Sequence, residues 1–227
     1  MKLPTNIRRR DKNTNSYTSV IENDDCYDLK HLKLNPDQIK MNTQYTIIRK
    51  CSAMKILQTF TSFDNHNNSI LTASVRNAWS KHSVILIYEE CSNILVGRLI
   101  KDNNYFHIVD ESNYYLGMIH VGVNTNQSIR YTFHFNQNKD ETYEGQPLRC
   151  VKVASNKEPE WRKNGLHLNF KQSGGIASIK NYVMQDGNDK IFFECLRKSN
   201  SRISVLCADD LPRIWSFAGV LASCLFD

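Results

Sequence analysis

The chain has 227 residues, 41% of them hydrophobic, which is enough for one large domain with a core of its own. Most of the formal net charge of +6 lies in residues 1–12, so the rest of the chain is close to neutral. A nearly neutral body argues against a broad nucleic-acid footprint, which needs a sustained basic face, so residues 43–227 predict no nucleic-acid partner.

Residues 1–42 are polar, carry both signs of charge and show no sustained hydrophobic periodicity. This composition predicts a basic-headed N-terminal arm that is flexible unless it is bound to a partner. Arg8, Arg9 and Arg10 are the residues of the arm that we expect to contact anionic lipid, RNA or an acidic groove of a partner protein. The opening MKLPTNIRRR lacks the apolar stretch of a secretory signal, which favours a cytoplasmic protein.

From Tyr45 onward the pattern changes to short β-like runs that are broken by Asn, Asp, Gly and Ser. Within many runs apolar and polar residues alternate, which is the period of a strand with one buried face. Many short strands at roughly 8–12-residue spacing predict an all-β sandwich or barrel. The predicted strands cover residues 45–49, 56–63, 70–75, 83–88, 95–100, 106–109, 116–123, 128–135, 148–154, 166–170, 176–184, 191–196 and 203–206.

Residues 211–226 break the strand period and predict an α-helix that is apolar on nearly all faces. Asp209 or Asp210 would be its N-cap, and Pro212 would lie in its first turn. The segment is shorter than the roughly 20 residues that cross a bilayer and it contains Arg213, so we expect no transmembrane segment. The remaining place for such a helix in an all-β chain is inside a barrel, where its small residues would let strand side chains approach closely.

The segment 156–184 reads NKEPEW, then LHLNF, then ASIKNYVM, with Ser173, Gly174 and Gly175 as a turn between two strand patterns. This order of residues resembles the signature block of the tubby C-terminal domain family. That block runs Asn-Lys-x-Pro-x-Trp, then a strand with Leu-Asn-Phe, then Ala-Ser-Val-Lys-Asn-Phe. The matching residues are Asn156, Lys157, Pro159, Trp161, Leu168, Asn169, Phe170, Ala177, Ser178, Lys180 and Asn181, with Ile179 and Tyr182 as close substitutes.

The end of the chain adds to this likeness. Leu211-Pro212, the run FAGVL at 217–221 and the closing Phe226-Asp227 resemble the family's terminal signature. The family's Asp-Tyr pair, its Gln-Phe-Gly tripeptide and its Gly-Pro-Arg-Lys-Met element are absent. The chain is therefore similar to a divergent member of the family.

The resemblance implies a mainly β fold over residues 43–227. The family fold is a closed antiparallel β-barrel of about twelve strands that encloses an apolar C-terminal α-helix, here near 211–226. Lys180 and Asn181 fall in the best-matched block, and we interpret them as a structural hydrogen-bonding pair at the rim of the barrel.

For function, the resemblance implies a non-enzymatic module that binds phosphoinositide, tethers to membranes and takes part in ciliary trafficking. Two phosphates on one inositol ring need several convergent cations at the wet edge of a β surface. The family's basic strand and its Ser-Lys-x-Ser turn correspond to residues 72–83, where Lys81 matches and Arg76 takes one basic position. Both residues are expected to bind the lipid headgroup.

Two further headgroup residues are expected on a later strand. The family has an arginine after Gly-Lys-Leu, and this chain has Ile100 at that position. Arg98 lies two residues earlier on the same strand face and would take over the contact. Lys101 completes the expected set, although it points to the opposite face unless a bulge turns it.

The depleted pocket leads to a second hypothesis. Val75, Ala78 and Trp79 stand where the family usually has cations. In this hypothesis the chain is a structural subunit of a large ciliary or cytoskeletal assembly, the barrel has lost lipid binding, and residues 1–42 dock on partner proteins. The two hypotheses place the protein in the cytoplasm, in cilia or at the periphery of a membrane.

The sequence offers no catalytic pattern. No Ser or Cys nucleophile sits in a strand–turn–helix elbow, and no pair of carboxylates stands out. His120 and His134 alternate along apolar strands and could face one another, and we interpret them as core or lining residues. The seven cysteines are scattered without a Cys-x-x-Cys pair, which predicts reduced core thiols. We expect no enzymatic activity, no metal and no cofactor.

Overall fold

The computed structural model describes residues 40–52, 56–124, 128–136, 142–144, 151–163 and 165–226. Arg8, Arg9 and Arg10, with most of the arm predicted over 1–42, lie outside these ranges, so the arm and its contacts stay predictions. The described residues form fourteen strands and one helix. The strands are β1 (Thr43–Cys51), β2 (Leu57–Phe63), β3 (Ser69–Arg76), β4 (His82–Glu89), β5 (Ile94–Asp102), β6 (Tyr105–Asp110), β7 (Tyr115–Val123), β8 (Ile129–Asn136), β9 (Val151–Asn156), β10 (Glu160–Arg162), β11 (Gly165–His167), β12 (Tyr182–Gln185), β13 (Ile191–Arg197) and β14 (Arg202–Cys207), and the helix is α1 (Arg213–Leu225).

Twelve of the strands form a closed barrel in the order β1-β14-β13-β12-β9-β8-β7-β6-β5-β4-β3-β2. Every neighbouring pair is antiparallel. The two remaining strands, β10 and β11, form a separate hairpin. The predicted fold class, a closed antiparallel barrel with a C-terminal helix, is confirmed.

The helix α1 fills the barrel, and all its residues from Ile214 to Leu225 are buried. Because it is apolar on every side, it can be stable in water only where strands surround it completely. Its first turn packs against the wall through Trp215, whose ring centroid lies 4.4 Å from that of Phe135 on β8. At its middle, Gly219 is so tightly packed that a methyl group there would lie 2.8 Å from the Phe133 ring. The small residues of the helix therefore allow the close approach that the sequence predicts.

The start of α1 differs from the prediction. Pro212 is the N-cap and forms no side-chain capping bond, so the predicted cap at Asp209 or Asp210 is wrong. The Asp209 carboxylate instead accepts hydrogen bonds from the Thr43 hydroxyl and from the backbone and side-chain amides of Asn42. The bond from Thr43, followed by those from Asn42, lowers the pKa of Asp209. This carboxylate ties the entry of the helix to the start of β1.

Most predicted strands are confirmed with small differences at their ends, but two are wrong in part, and residues 148–150 of the strand predicted over 148–154 lie outside the described residues. Of residues 166–170 only the first two are in a strand, in the β10–β11 hairpin, and of residues 176–184 only the last three join the barrel, as part of β12. The chain between them is held by side-chain hydrogen bonds in place of a ladder. The Glu194 carboxylate of β13 accepts the backbone N–H groups of Lys171 and Gln172. An alternating pattern of side chains does not reveal which partner the backbone takes.

We expect Gly117→Ala to lower the free energy of unfolding by about 3 kcal/mol or more. Gly117 has a φ of +145°, and a Cβ at this position of β7 would overlap the carbonyl oxygen of His134 on β8. The matched control is Gly122→Ala on the same strand, where the nearest atom to a new Cβ would be a ring carbon of His120 at 3.6 Å. This control should stay within about 0.5 kcal/mol of wild type in urea unfolding. Equal losses for the two substitutions would contradict the tight approach at Gly117.

Candidate functional site: the basic end of the barrel

In an antiparallel barrel successive connections alternate between the two ends. The connections 51–57, 76–82, 102–105, 123–129, 156–182 and 197–202 therefore begin and finish at one end, and the others lie at the opposite end. The last turn of α1 lies at the end that carries these six connections. The Lys101 ammonium, next to the β5–β6 turn, donates to the Leu225 carbonyl there at 2.9 Å. We call this end of the barrel the basic end.

The basic end carries most of the positive charge of the described residues. The exposed side chains include Lys50, Arg76, Lys81, Arg130 and Arg202, which come from four different connections. The Lys and Arg residues at this end are Arg49, Lys50, Arg76, Lys81, Lys101, Arg130, Lys157, Arg162, Lys163, Lys180, Arg197, Lys198 and Arg202.

The few described carboxylates at the basic end each lie beside a basic side chain. Asp102 is 3.0 Å from the His82 ring nitrogen, and Glu160 is 3.1 Å from the Arg162 guanidinium. Glu158 is 3.7 Å from Arg130. These three carboxylates are far fewer than the basic side chains at this end, so the end keeps a net positive charge.

The opposite end, which we call the acidic end, has the reverse balance. Its described basic residues are Lys40, Lys152, Lys190 and Arg213, and Arg98 and Lys171 reach towards it through their contacts with Asn113 and Met41. Its described carboxylates are Asp64, Glu89, Glu90, Asp110, Glu111, Glu144, Asp186, Asp189, Asp209 and Asp210. The chain is thus nearly neutral in sum beyond its first residues, but its charges are separated along the barrel axis.

Two of the four predicted headgroup residues lie exposed at the basic end. Arg76 is the last residue of β3, and Lys81 directly precedes β4. Lys81 lines a pocket of about 340 Å³ between the β3–β4 and β5–β6 connections and the end of the helix. The other residues that line this pocket are Trp79, Lys101, Asn103, Asn104, Leu225 and Phe226.

The other two predicted residues lie on opposite sides of the barrel wall. Arg98 points outward and donates to the side-chain carbonyl of Asn113 at 2.6 Å, towards the acidic end. Lys101 points inward, and only 7% of it is exposed. The Lys101 ammonium donates to the carbonyls of Ala78 and Leu225. The structure therefore brings Arg76 and Lys81 to one end but does not bring the four residues together.

Basic side chains also complete the C-terminal end of the helix. The last carbonyls of a helix have no partner within it, and they form the negative end of its dipole. Lys101 donates to the Leu225 carbonyl at 2.9 Å, and Lys180 donates to the Phe226 carbonyl at 2.9 Å. The Arg197 guanidinium lies 4.0 Å from the Cys224 sulfur. Some of the positive charge at the basic end thus stabilises the fold.

Residues of the segment 156–184 have similar structural roles. The Asn156 side chain accepts the Tyr131 N–H at 2.8 Å and donates to the Ile129 carbonyl, where the strand β9 ends. The Asn181 side chain accepts the Arg197 N–H and donates to the Ile176 carbonyl. These amides replace ladder bonds where the chain leaves the barrel. The interpretation of Lys180 and Asn181 as structural hydrogen-bonding residues at the rim agrees with these contacts, although neither residue is in a strand.

The two histidines of β7 and β8 lie on the outer face of the wall rather than in the core. His120 stacks on Tyr105, with 4.7 Å between the ring centroids. His134 is 4% exposed, and burial, followed by the charge of nearby His120, lowers its pKa to about 4. His134 is therefore neutral in the folded protein at pH 7.

Three of the described cysteines, Cys195, Cys207 and Cys224, are buried free thiols, as the sequence predicts, whereas Cys51 and Cys91 are exposed. Among the described residues there is no group of three or more His, Cys, Asp or Glu side chains placed to hold a metal ion. No helix in that part of the chain is long and apolar enough to cross a membrane. No family model matches the chain, and neither does any curated protein.

We expect Lys101→Met to lower the free energy of unfolding by about 2 kcal/mol, because it leaves two carbonyls at the end of the helix without this donor. The matched control is Lys81→Met in the same pocket, whose exposed ammonium should contribute less than about 0.5 kcal/mol to stability. Urea unfolding of both variants measures the difference. A Lys101→Met protein as stable as wild type would show that the inward lysine does not hold the helix end.

The burial of His134 predicts a loss of stability in mild acid. Unfolded histidine has a pKa of about 6.5, so between about pH 6.5 and pH 4 the unfolded chain binds more protons than the folded one. The free energy of unfolding should therefore fall by about 2 kcal/mol between pH 7 and pH 5 through this residue. The variant His134→Gln should show a flatter pH profile in urea unfolding. A His134→Gln profile that runs parallel to the wild-type profile would contradict the assignment.

Proposed function

We propose that the protein is a non-enzymatic module that docks its basic end on an anionic membrane surface bearing phosphorylated lipid headgroups. The observation that carries this proposal is the separation of charge along the barrel. Exposed cations such as Arg76, Lys81 and Arg202 lie at one end, and the described carboxylates are concentrated at the other.

This separation favours one orientation at a membrane. A basic residue close to an anionic leaflet contributes about 1 kcal/mol, and this contribution falls off within a Debye length of about 8 Å. Several exposed cations at one end can lie within that distance together, while the acidic end faces away from the lipid. Cations spread evenly round the wall could not all approach a flat surface.

The pocket beside Lys81 offers a place for a phosphorylated headgroup. The Lys81 ammonium is a point charge that suits phosphate oxygens, and the neighbouring Asn104 has a side-chain amide that can donate to the same group. The Asn103 amide also lines the pocket and donates to Asp102. The likeness of the chain to tubby domains supports phosphoinositide as the preferred lipid. Arg76 and Lys81 are the two expected headgroup residues that we assign to this role. Arg98 bonds to Asn113 on the outer wall, and Lys101 lines the pocket but donates to the carbonyls of Ala78 and Leu225.

The test is co-sedimentation with vesicles of phosphatidylcholine that contain a bisphosphorylated phosphoinositide. We expect Arg76→Glu/Lys81→Glu to weaken binding by at least tenfold, since two local cations worth about 1 kcal/mol each become repulsive. The matched control is Lys40→Glu/Arg213→Glu, which changes the net charge equally at the acidic end and should bind as wild type does.

The same experiment separates the alternatives. Vesicles with phosphatidylserine at equal surface charge measure how much of the affinity is specific for phosphoinositide. Binding should weaken steeply with salt because the contacts are exposed. Equal binding by both double variants, or no binding by wild type, would contradict the proposal. Binding of a short single-stranded RNA in preference to the vesicles would assign the basic end to nucleic acid instead.

A further inference from the structure

Exposed apolar side chains accompany the exposed cations at the basic end. Trp79 is 56% exposed, Ile56 is 50% exposed and Leu57 is 40% exposed. A single exposed apolar residue is ordinary on a protein surface and needs no explanation. Here three of them, one a tryptophan, belong to two connections at the same end of the barrel.

The three residues belong to one continuous edge although they come from two connections. The Asn77 N–H donates to the Ile56 carbonyl at 2.7 Å, which fastens the β1–β2 connection to the β3–β4 turn. Leu57 is the ladder partner of Arg76. Trp79 follows two residues after Asn77, whose φ of 51° turns the chain sharply. We call Ile56, Leu57 and Trp79 the apolar edge.

Cations flank this edge on both sides. Arg76 faces Leu57 across the β2–β3 ladder, and Lys81 lies two residues beyond Trp79. Both are exposed. Tryptophan with neighbouring aliphatic residues is the composition that favours the boundary between headgroups and acyl chains, and basic residues beside it favour the phosphates just above.

We propose that the apolar edge inserts into the boundary between the headgroups and the acyl chains of an anionic bilayer. Trp79 and Ile56 enter the boundary, while Arg76 and Lys81 remain at the level of the phosphates. The insertion rests on the proposed docking function and adds to it a contact that salt does not screen. Membrane binding then depends on two properties of the bilayer, its negative charge and the packing of its lipids.

A bilayer fits this edge better than a protein groove does, because the whole end of the barrel shares its chemistry. Val123 is 63% exposed at the end of β7, and Ile179 is 69% exposed beside Lys180. Both lie at the basic end, on connections other than those of the apolar edge. A broad planar surface that is anionic at one depth and apolar just beneath can meet all of these residues together.

The first arm of the test measures the position of Trp79 directly. Vesicles of phosphatidylcholine and bisphosphorylated phosphoinositide are prepared with a nitroxide on acyl carbon 5 of a small fraction of the lipid. The difference in fluorescence between wild type and Trp79→Phe isolates this residue from the buried Trp215 and from Trp161. We expect the Trp79 component to shift to the blue and to be quenched by at least half on binding.

The second arm measures what the edge contributes to affinity. We expect Trp79→Ala to weaken vesicle binding about tenfold, since a buried large apolar side chain contributes on that scale. Ile56→Ser should weaken binding in the same direction, and the matched control Ile94→Ser, exposed to 61% at the acidic end, should not. All three substituted positions are exposed in the folded chain, and an unchanged melting temperature checks that each variant is folded.

Salt separates this inference from the proposed function. Raising the salt concentration should reduce binding through Arg76 and Lys81 while the ratio between wild type and Trp79→Ala stays the same. Unquenched Trp79 and equal affinities for wild type and Trp79→Ala, with binding still lost in Arg76→Glu/Lys81→Glu, would overturn insertion and leave electrostatic docking in place. No binding of wild type to the vesicles would overturn both. Quenching with a tenfold loss in Trp79→Ala at every salt concentration supports insertion.

Discussion

The buried helix is the constraint on which the rest of the structure depends. All the residues of α1 from Ile214 to Leu225 are inside, so twelve strands must close round it, and the helix must be small where the wall comes nearest, as at Gly219. The direction of the helix also determines which end of the barrel needs positive charge. The helix dipole points its negative end at one mouth of the barrel, and Lys101 and Lys180 supply the positive charge that this mouth requires.

Much of the fold could be predicted from the sequence because it follows from local patterns. An apolar helix too short for a bilayer, placed after many short strands, indicates a filled barrel. The predictions that failed concern which group the backbone hydrogen-bonds to, and not the alternation of the side chains. Residues 166–170 alternate as a strand should, yet the chain that follows them bonds to the Glu194 carboxylate, a contact from another part of the sequence. No local window contains that information.

The separation of charge along the barrel could be predicted from the sequence once its strands are assigned. The net charge of a chain does not report its distribution, and near neutrality conceals a basic end and an acidic end of the same barrel. Once the strands are placed, alternate connections must share an end. Reading them in two groups puts Arg76, Lys81 and Arg202 together and puts Asp64, Asp110 and Asp189 together. Grouping the connections does not show which cations are buried; that follows from the alternation of side chains along β5, which places Arg98 on the outer face and Lys101 on the inner face.

Whether a cation is buried or exposed decides what its loss from a motif means for binding. Lys81 and Lys101 line one pocket, but the first is exposed and the second holds the end of the helix, so identical side chains a short distance apart serve binding and stability. A count of the cations within a motif therefore gives a wrong estimate of the positive charge that a membrane would meet. It includes a lysine that is already engaged, and it omits Lys50, Arg130 and Arg202, which reach the same end from other connections. Because a membrane is a plane and not a point ligand, the attraction depends on the cations of the whole end, and a depleted motif does not by itself argue that membrane binding has been lost.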